Sequence, residues 1–153
     1  SGLMMLALGK AMSSGLSRAF RERLVHKRYE AIVDGLMADD EGRIDFPLNP
    51  DWPNRPRQKI DFEAGKPSLT QFQVIERNVE ENWTRVDLEP FTGRSHQLRM
   101  HLMALGHPIL GDPLYADPEA FAKAPRMYLH ARHLSFAHPL SGEAMVFDSP
   151  VPF

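Results

Sequence analysis

The 153-residue sequence contains no cysteine, and that absence removes several classes of protein from consideration. Disulfide-stapled scaffolds, thiolate metal sites and cysteine nucleophiles all require this side chain. Long apolar runs are missing as well, since the stretch from Leu3 to Leu8 is far shorter than the roughly 20 residues that cross a bilayer. No basic stretch precedes that run, which makes it a poor signal peptide. We therefore expect a cytoplasmic protein that does not engage a membrane.

Motifs of nucleotide-binding and hydrolytic enzymes are also lacking. The pattern Gly-x-Gly-x-x-Gly occurs nowhere, so a dinucleotide fold has no support. The segment from Gly65 to Ser68 imitates the end of a phosphate-binding loop, but the upstream glycine is missing and Pro67 interrupts the helix start. No Gly-x-Ser-x-Gly elbow marks a serine nucleophile, although serine, histidine and aspartate are all present.

The composition that remains is that of an ordinary globular chain, with 42% hydrophobic and 25% charged residues and a net charge of −2. Its length predicts one domain covering residues 1–153. Charge is distributed in blocks: residues 1–35 carry six Lys or Arg against three acids, and residues 36–53 carry one against five. Such alternation is compatible with one basic and one acidic face, and equally with an unremarkable solvated surface.

Hydrophobic patterning predicts an α+β fold, a mainly antiparallel mixed sheet with a few flanking helices. Tight polar turns join successive strands, which favours antiparallel neighbours. The predicted strands are Leu3–Leu8, Lys27–Val33, Leu69–Ile75, Trp83–Leu88, Met127–Ala137 and Ala144–Phe147, and the predicted helices are Lys10–Leu24, a helix capped by Ser95 that ends at Leu105, and a turn at Glu119–Ala124. Five prolines between residues 47 and 67 predict a long, stiffened excursion without regular structure.

The segment from Thr92 to His101 concentrates functional side chains at the start of a predicted helix. Two arginines, two histidines and a glutamine follow a flexible glycine there. Free amides and the positive end of the dipole make a helix start an anion-binding point. Arg99 lies at the edge of the apolar stripe, and a partly buried arginine needs an acidic or phosphate partner. No acid lies within helical reach, so its partner must come from elsewhere in the fold or from a segment upstream.

Histidine patterns give little support for a metal site. His96 and His101 are five residues apart on a helix, and His130 and His133 point to opposite faces of a strand. We therefore predict no metal. A metal-dependent hydrolase that uses His130, His133 and His138 stays open as an alternative, because folding brings distant side chains together.

The order and spacing of several motifs resemble the RluA-type pseudouridine synthases. The family signature corresponds to TGRSHQLRMHL at Thr92–Leu102, followed by GHPILGD at Gly106–Asp112 and by Tyr115. Lys27-Arg28-Tyr29 is similar to the family's basic-x-Tyr motif, and Leu129–Ala131 to its closing strand. DWPNRPRQK at Asp51–Lys59 resembles the RluA subgroup, which modifies both ribosomal and transfer RNA.

The resemblance implies a cofactor-free isomerase that converts uridine in structured RNA to pseudouridine, acting as a monomer. Tyr29 and Arg99 would be catalytic: Tyr29 would stack on the flipped uracil, and Arg99 would pair with the catalytic aspartate. Leu98 would wall the uracil pocket. The remaining implied RNA contacts are Arg94, His96, Arg55, Arg57, Lys59 and Arg126.

The resemblance also places the catalytic aspartate in a His-Arg-Leu-Asp-x-x-Thr-Ser-Gly motif, of which Ser1-Gly2 matches only the last two letters. We therefore expect that aspartate to lie about four residues upstream of Ser1, outside this chain, and to be the acidic partner of Arg99. It follows that the isolated chain would be inactive. The alternative is a non-catalytic RNA-binding fragment.

Overall fold

A computed structural model describes all 153 residues and places one six-stranded antiparallel sheet at the centre of an α+β fold, as the sequence predicts. The strand order is β2-β5-β6-β1-β7-β8, and β3 and β4 form a separate pair. The strands are β1 His26–Asp34, β2 Glu41–Asp45, β3 Leu48–Pro50, β4 Gln58–Ile60, β5 Leu69–Asn78, β6 Trp83–Pro90, β7 Leu129–Ala137 and β8 Ala144–Asp148. The helices are α1 Lys10–Arg21, α2 Gln97–Ala104 and α3 Pro118–Ala122, with a 3₁₀ turn at Trp52–Asn54. None of these helices has the length and apolarity to cross a bilayer.

The core lies between the centre of the sheet and one face of α2. Val33 of β1 and Val86 of β6 are fully buried and pack in the same cluster as Leu98 and Leu102 of α2. Burial of this kind contributes about 1.5–3 kcal/mol for each large aliphatic side chain. The packing holds α2 against β4, β5 and β6, and the residues that precede α2 line the same cavity as Tyr29 of β1.

The predicted strand at Leu3–Leu8 is wrong. Gly2 alone makes a bridge, to Ala131 of β7, and Met4, Leu6 and Leu8 are 81%, 78% and 86% exposed. The strand does not continue because the edge of β7 is free at residue 131 but pairs with β8 from His133 onward. A chain that runs along β7 from Ser1 is therefore displaced after Leu3.

The prediction for the proline-rich excursion also needs correction. Its prolines do not prevent a small two-stranded ladder, in which Leu48 pairs with Ile60 and Pro50 itself pairs with Gln58. Leu48 is buried and packs with Met100 of α2 and with Tyr115. The excursion is thereby attached to the helix that carries the candidate site. A further strand, β2, was not predicted, because its sequence follows an acidic, glycine-containing stretch that resembles a loop.

Candidate active site

A cleft of about 320 Å³ opens between β1, the loop before α2 and the first turn of that helix. This volume is within the usual range for small-ligand sites. Five of the residues singled out from the sequence line it: Tyr29, Arg94, His96, Leu98 and Arg99. Lys27, Pro90, Thr92, Gly93, Gln97 and Leu129 complete its lining.

Tyr29 projects from the middle of β1 and packs against the core while its ring faces the cleft. Its neighbours in the strand alternate: Arg28 lies on the opposite face of the sheet, where it pairs with Asp87 at 3.0 Å. The phenol makes no hydrogen bond within the protein, and burial raises its pKa above the ordinary value. Tyr29 therefore presents a neutral ring and a free hydroxyl at neutral pH.

The loop before α2 is held in place by Gln97 rather than by the predicted Ser95 cap. Gln97 Oε1 accepts hydrogen bonds from the Arg94 amide at 3.1 Å and the Thr92 hydroxyl at 2.7 Å. The residue at the cap position is His96, which has a left-handed backbone (φ 54°) and makes no side-chain cap. A buried amide thus holds the loop in place, and the sequence offered no local sign of it.

The other end of Gln97 belongs to a buried polar chain that connects α2 with the sheet. Its Nε2 donates to the Thr70 hydroxyl at 3.0 Å, and the hydroxyl lies 2.9 Å from His101 Nδ1. His101 Nε2 is 2.8 Å from the Phe46 carbonyl, an acceptor only, so Nε2 carries the proton and Nδ1 accepts from Thr70. Burial lowers the pKa of His101, which keeps the ring neutral.

The expectation that Arg99 finds its acidic partner only outside this chain is wrong, because Asp112 within the chain forms a two-bond ion pair with it. Arg99 Nε donates to Asp112 Oδ2 at 2.9 Å and Nη2 donates to Oδ1 at 2.7 Å. The carboxylate is completely buried, and Oδ1 also accepts the backbone amides of Leu114 and Tyr115. Residues 106–112 fold back on α2, so an acid 13 positions away in sequence reaches the guanidinium.

Both members of the Arg99–Asp112 ion pair are charged at neutral pH, but the pair leaves part of the Arg99 guanidinium without a hydrogen-bond partner. Burial alone would raise the pKa of Asp112, but the Arg99 hydrogen bonds and the two amides outweigh it and hold the pKa below its usual range. The bond to Asp112 raises the pKa of Arg99. Arg99 Nη1 makes no hydrogen bond, and the side chain is 13% exposed where it lines the cleft. One edge of the guanidinium is anchored and the rest remains available.

Tyr115 links this pair to the proline-rich excursion, a role that sequence reasoning did not assign. Its hydroxyl accepts a hydrogen bond from the Gln58 amide at 2.8 Å and shares a second hydrogen bond with His96 Nδ1 at 2.8 Å. Its ring lies under the Arg99 guanidinium at 5.1 Å and the Arg57 guanidinium at 5.7 Å. Burial, and then the Arg99 charge, lowers the pKa of His96, which favours the neutral ring.

The remaining basic residues predicted as RNA contacts do not line the cleft. Arg55 stacks on the exposed Trp52 ring at 4.8 Å, and Arg57 and Lys59 are exposed on the excursion. Arg126 donates to the Ser1 hydroxyl. Arg94, at the cleft, donates to the Pro67 carbonyl at 3.1 Å. The structure therefore separates the predicted residues into a cleft group and a peripheral group.

The three histidines of the alternative metal site have separate partners. His130 contacts Ser1 and Ser149, His133 contacts Asp148 at 2.7 Å, and His138 accepts backbone amides of its own turn. No group of three or more His, Asp or Glu side chains is arranged to hold a metal ion. The geometry offers this alternative no assembled ligand set.

Comparison with known proteins gives one consistent result. Residues 1–104 match the RNA pseudouridylate synthase family model. The dual-specificity RNA pseudouridine synthases RluA of Pasteurella multocida and Escherichia coli are 53% and 52% identical over all 153 residues, which cover 69% of each relative.

Solved structures agree with the sequence relatives. Human RNA Pseudouridylate Synthase Domain Containing 1 superposes with a TM-score of 0.82 at 34% identity, over 95% of this chain and 62% of that one. Human RNA Pseudouridylate Synthase Domain Containing 4 shares the fold, with a TM-score of 0.72 at 24% identity, over 94% of this chain and 64% of that one. This chain thus spans less than two thirds of the length of either structure. By motif, family model and fold, it belongs to the RNA pseudouridylate synthases, a family of isomerases.

Proposed function

We propose that the protein containing this chain isomerises uridine to pseudouridine within ribosomal or transfer RNA, acting as a cytoplasmic monomer. The observation that carries this proposal is the single cleft in which the free phenol of Tyr29 lies beside the anchored guanidinium of Arg99. The name "dual-specificity" of the RluA relatives supports more than one RNA substrate.

The reaction requires no external reagent, which suits a site built only of side chains. The bond between ribose C1′ and uracil N1 breaks, the base turns, and C1′ bonds to C5. N1 gains a proton and C5 loses one, so no oxidant, reductant or group donor is consumed. The base must first leave its stack, at a cost of roughly a few kcal/mol that the site has to offset.

Each residue of the cleft group has a role in this scheme. The Tyr29 ring stacks on the uracil and contributes on the order of 1–3 kcal/mol, while its hydroxyl is placed to assist removal of the C5 proton. Leu98 forms an apolar wall. The free Nη1 of Arg99 holds the catalytic carboxylate ionised and aimed at the sugar. Asp112 and Tyr115 are positioning residues, because they orient Arg99 and His96.

Backbone phosphates are the proposed targets of the basic side chains. Arg94 and His96 lie at the cleft itself, and Arg55, Arg57 and Lys59 extend along the excursion. Contacts of this kind position RNA without reading its sequence. Arg126 lies farther along the chain beside Ser1 and belongs to the same proposed set.

The catalytic carboxylate itself is proposed to come from the motif that the family places before Ser-Gly. In support, the Ser1 amino group donates to the carbonyl of Leu129 at 3.0 Å, and Leu129 lines the cleft. A segment that precedes Ser1 would therefore begin beside a residue that lines the cleft. We propose that residues 1–153 alone bind RNA without turnover.

Tritium release tests the proposal directly, because the C5 proton is lost during isomerisation. RNA labelled with tritium at uracil C5 is incubated with the protein as its gene encodes it and, separately, with residues 1–153. We expect release from the encoded protein only. No release by the encoded protein from ribosomal or transfer RNA would refute the function, and turnover by residues 1–153 would refute the placement of the carboxylate.

A further inference from the structure

A second cavity, of about 570 Å³, continues from the cleft across the end of α1. The two cavities share Lys27, Pro90, Thr92, Gly93 and Arg94, so they form one continuous groove. We call the outer part the basic groove. Its further lining consists of Phe20, Arg21, Arg23, Val25, His26, Glu89 and Phe91.

The basic groove concentrates positive charge that the protein leaves uncompensated. Arg21, Arg23 and Lys27 make no salt bridge with any carboxylate, and Glu89 is the single acid in the lining. On the opposite face of the sheet the pattern is reversed, since Arg28 is paired with Asp87 and Arg85 with Glu30 at 2.6 Å. The lining also contains the exposed ring of Phe20. Cation-lined grooves that offer aromatic rings for stacking are the form in which proteins hold single-stranded nucleic acid.

Lys27 occupies the junction of the cleft and the basic groove. It lies two residues before Tyr29 in β1 and therefore on the same face of the sheet. Its Nζ lies 5.2 Å from the centre of the Phe20 ring and makes no hydrogen bond within the protein. Burial lowers the pKa of this ammonium, and no neighbouring carboxylate counteracts the effect.

Gly93 keeps the approach to that ammonium open. A Cβ at this position would lie 3.6 Å from Lys27 Nζ, so any side chain would cover the charge. The same residue lines both cavities. The site thus combines a half-buried cation without an acidic partner and a backbone that allows close approach of a ligand.

We propose that the basic groove carries the RNA strand next to the target nucleotide and that Lys27 Nζ binds one of the two phosphates flanking that nucleotide. This inference rests on the proposed function, because it assumes that the target base occupies the cleft beside Tyr29. Arg21 and Arg23 then follow the strand outward from the junction. An acidic protein segment would match the charge but would leave the exposed ring of Phe20 without a base to stack on.

Chemical removal of one phosphate charge tests the contact. RNA hairpins with the target uridine in the loop carry a methylphosphonate, which is uncharged, on its 5′ or its 3′ side. The encoded protein is compared with Lys27→Met, which removes the charge and keeps the length of the side chain, and with Lys10→Met, an exposed lysine outside the groove. Affinities are measured at several salt concentrations.

We expect Lys27→Met to weaken binding of the unmodified hairpin about tenfold, as for a charge-assisted hydrogen bond. The salt slope should fall by about 0.7, the value for one phosphate of a single strand. One of the two methylphosphonate substitutions should lower the affinity of the wild type for the hairpin by the same factor. The same substitution should leave the affinity of Lys27→Met unchanged. Lys10→Met should respond like the wild type, and Lys27→Arg should keep most of the affinity.

Two results would overturn the contact: both methylphosphonates weaken Lys27→Met as strongly as the wild type, or Lys27→Arg binds as poorly as Lys27→Met. Misfolding is excluded by urea unfolding, in which Lys27→Met should be at least as stable as the wild type because a buried charge is removed. Tritium release by the wild type from the unmodified hairpin is recorded in parallel. If the wild type releases no tritium, the proposed function is refuted. If release is normal but Lys27→Met binds the hairpins as tightly as the wild type, only the proposed RNA contact in the basic groove is refuted.

Discussion

Asp112→Asn should destabilise the fold out of proportion to the single atom that it changes. The asparagine oxygen can keep the place of Oδ1, which accepts Arg99 Nη2 and the amides of Leu114 and Tyr115. Its NH₂ group then takes the place of Oδ2 and meets Arg99 Nε–H, donor against donor. One hydrogen bond is lost and the guanidinium loses its counter-charge at a site where the carboxylate is fully buried.

Breaking a buried ion pair by removing one partner costs about 3–5 kcal/mol. Because Arg99 remains 13% exposed to the cleft, we expect the lower end, about 3 kcal/mol in the free energy of unfolding. Urea unfolding at pH 7, followed by circular dichroism, measures this difference. Asp117→Asn is the matched control, since Asp117 is an exposed helix cap whose function asparagine preserves, and it should change stability by less than about 0.5 kcal/mol.

The pH dependence provides a second check on the same pair. The folded-state pKa of Asp112 is lowered, so its stabilisation is complete above the unfolded pKa of about 3.9 and is lost as the pH falls below it. The difference in the free energy of unfolding between the wild type and Asp112→Asn should be constant from pH 7 to about pH 5 and should become smaller below about pH 4. A difference below about 1 kcal/mol at pH 7 would refute the claim that this pair anchors Arg99.

Substitutions at three further residues address the chemistry and the buried polar chain. Arg99→Lys keeps the charge but loses the two-bond geometry, so tritium release should fall at least about a hundredfold while RNA affinity changes little. Tyr29→Phe retains the ring and should bind RNA within about twofold of the wild type in a filter-binding assay, whereas Tyr29→Ala should bind on the order of tenfold more weakly. His101→Gln should flatten the pH dependence of stability: the folded-state pKa of His101 is lowered, so the wild type loses stability as the pH falls below about 6.5, where the unfolded chain takes up a proton. An unchanged slope between pH 7 and pH 5 in urea titrations would count against a neutral, buried His101.

Local signals predicted those parts of the fold in which neighbours in sequence are neighbours in space. The strand around Tyr29 and the hairpin from Leu69 to Trp83 are confirmed, because alternation of side chains and a polar turn define them without help from the rest of the chain. The prediction of a strand at Leu3–Leu8 was wrong for the opposite reason. Whether an apolar run becomes a strand depends on a free sheet edge, and β8 had taken that edge.

The residues of the candidate site also divide into those that local sequence signals identify and those that only the folded structure reveals. Arg99 and Tyr29 were identifiable because the motif spacing is local, and the need of Arg99 for an acid followed from its place beside the apolar stripe. The identity of that acid did not, because Asp112 reaches it only after the loop through Gly111 has folded back. The role of Gln97 was equally hidden, since it holds the loop through contacts with Thr92 and Leu69, which lie outside α2.

The hydrogen bond from the Gln58 amide to Tyr115 makes the proline-rich excursion a preorganised arm rather than a flap. An arm that is already docked on α2 loses little conformational entropy when RNA binds. The attraction between its cations and the RNA therefore adds to the affinity and is not offset by the cost of ordering the arm. It also follows that strain applied to the arm by a poorly fitting RNA is transmitted, through one phenol, to the ring of His96 and the plane of Arg99. Discrimination between RNAs would then be felt in the rate of reaction as well as in binding.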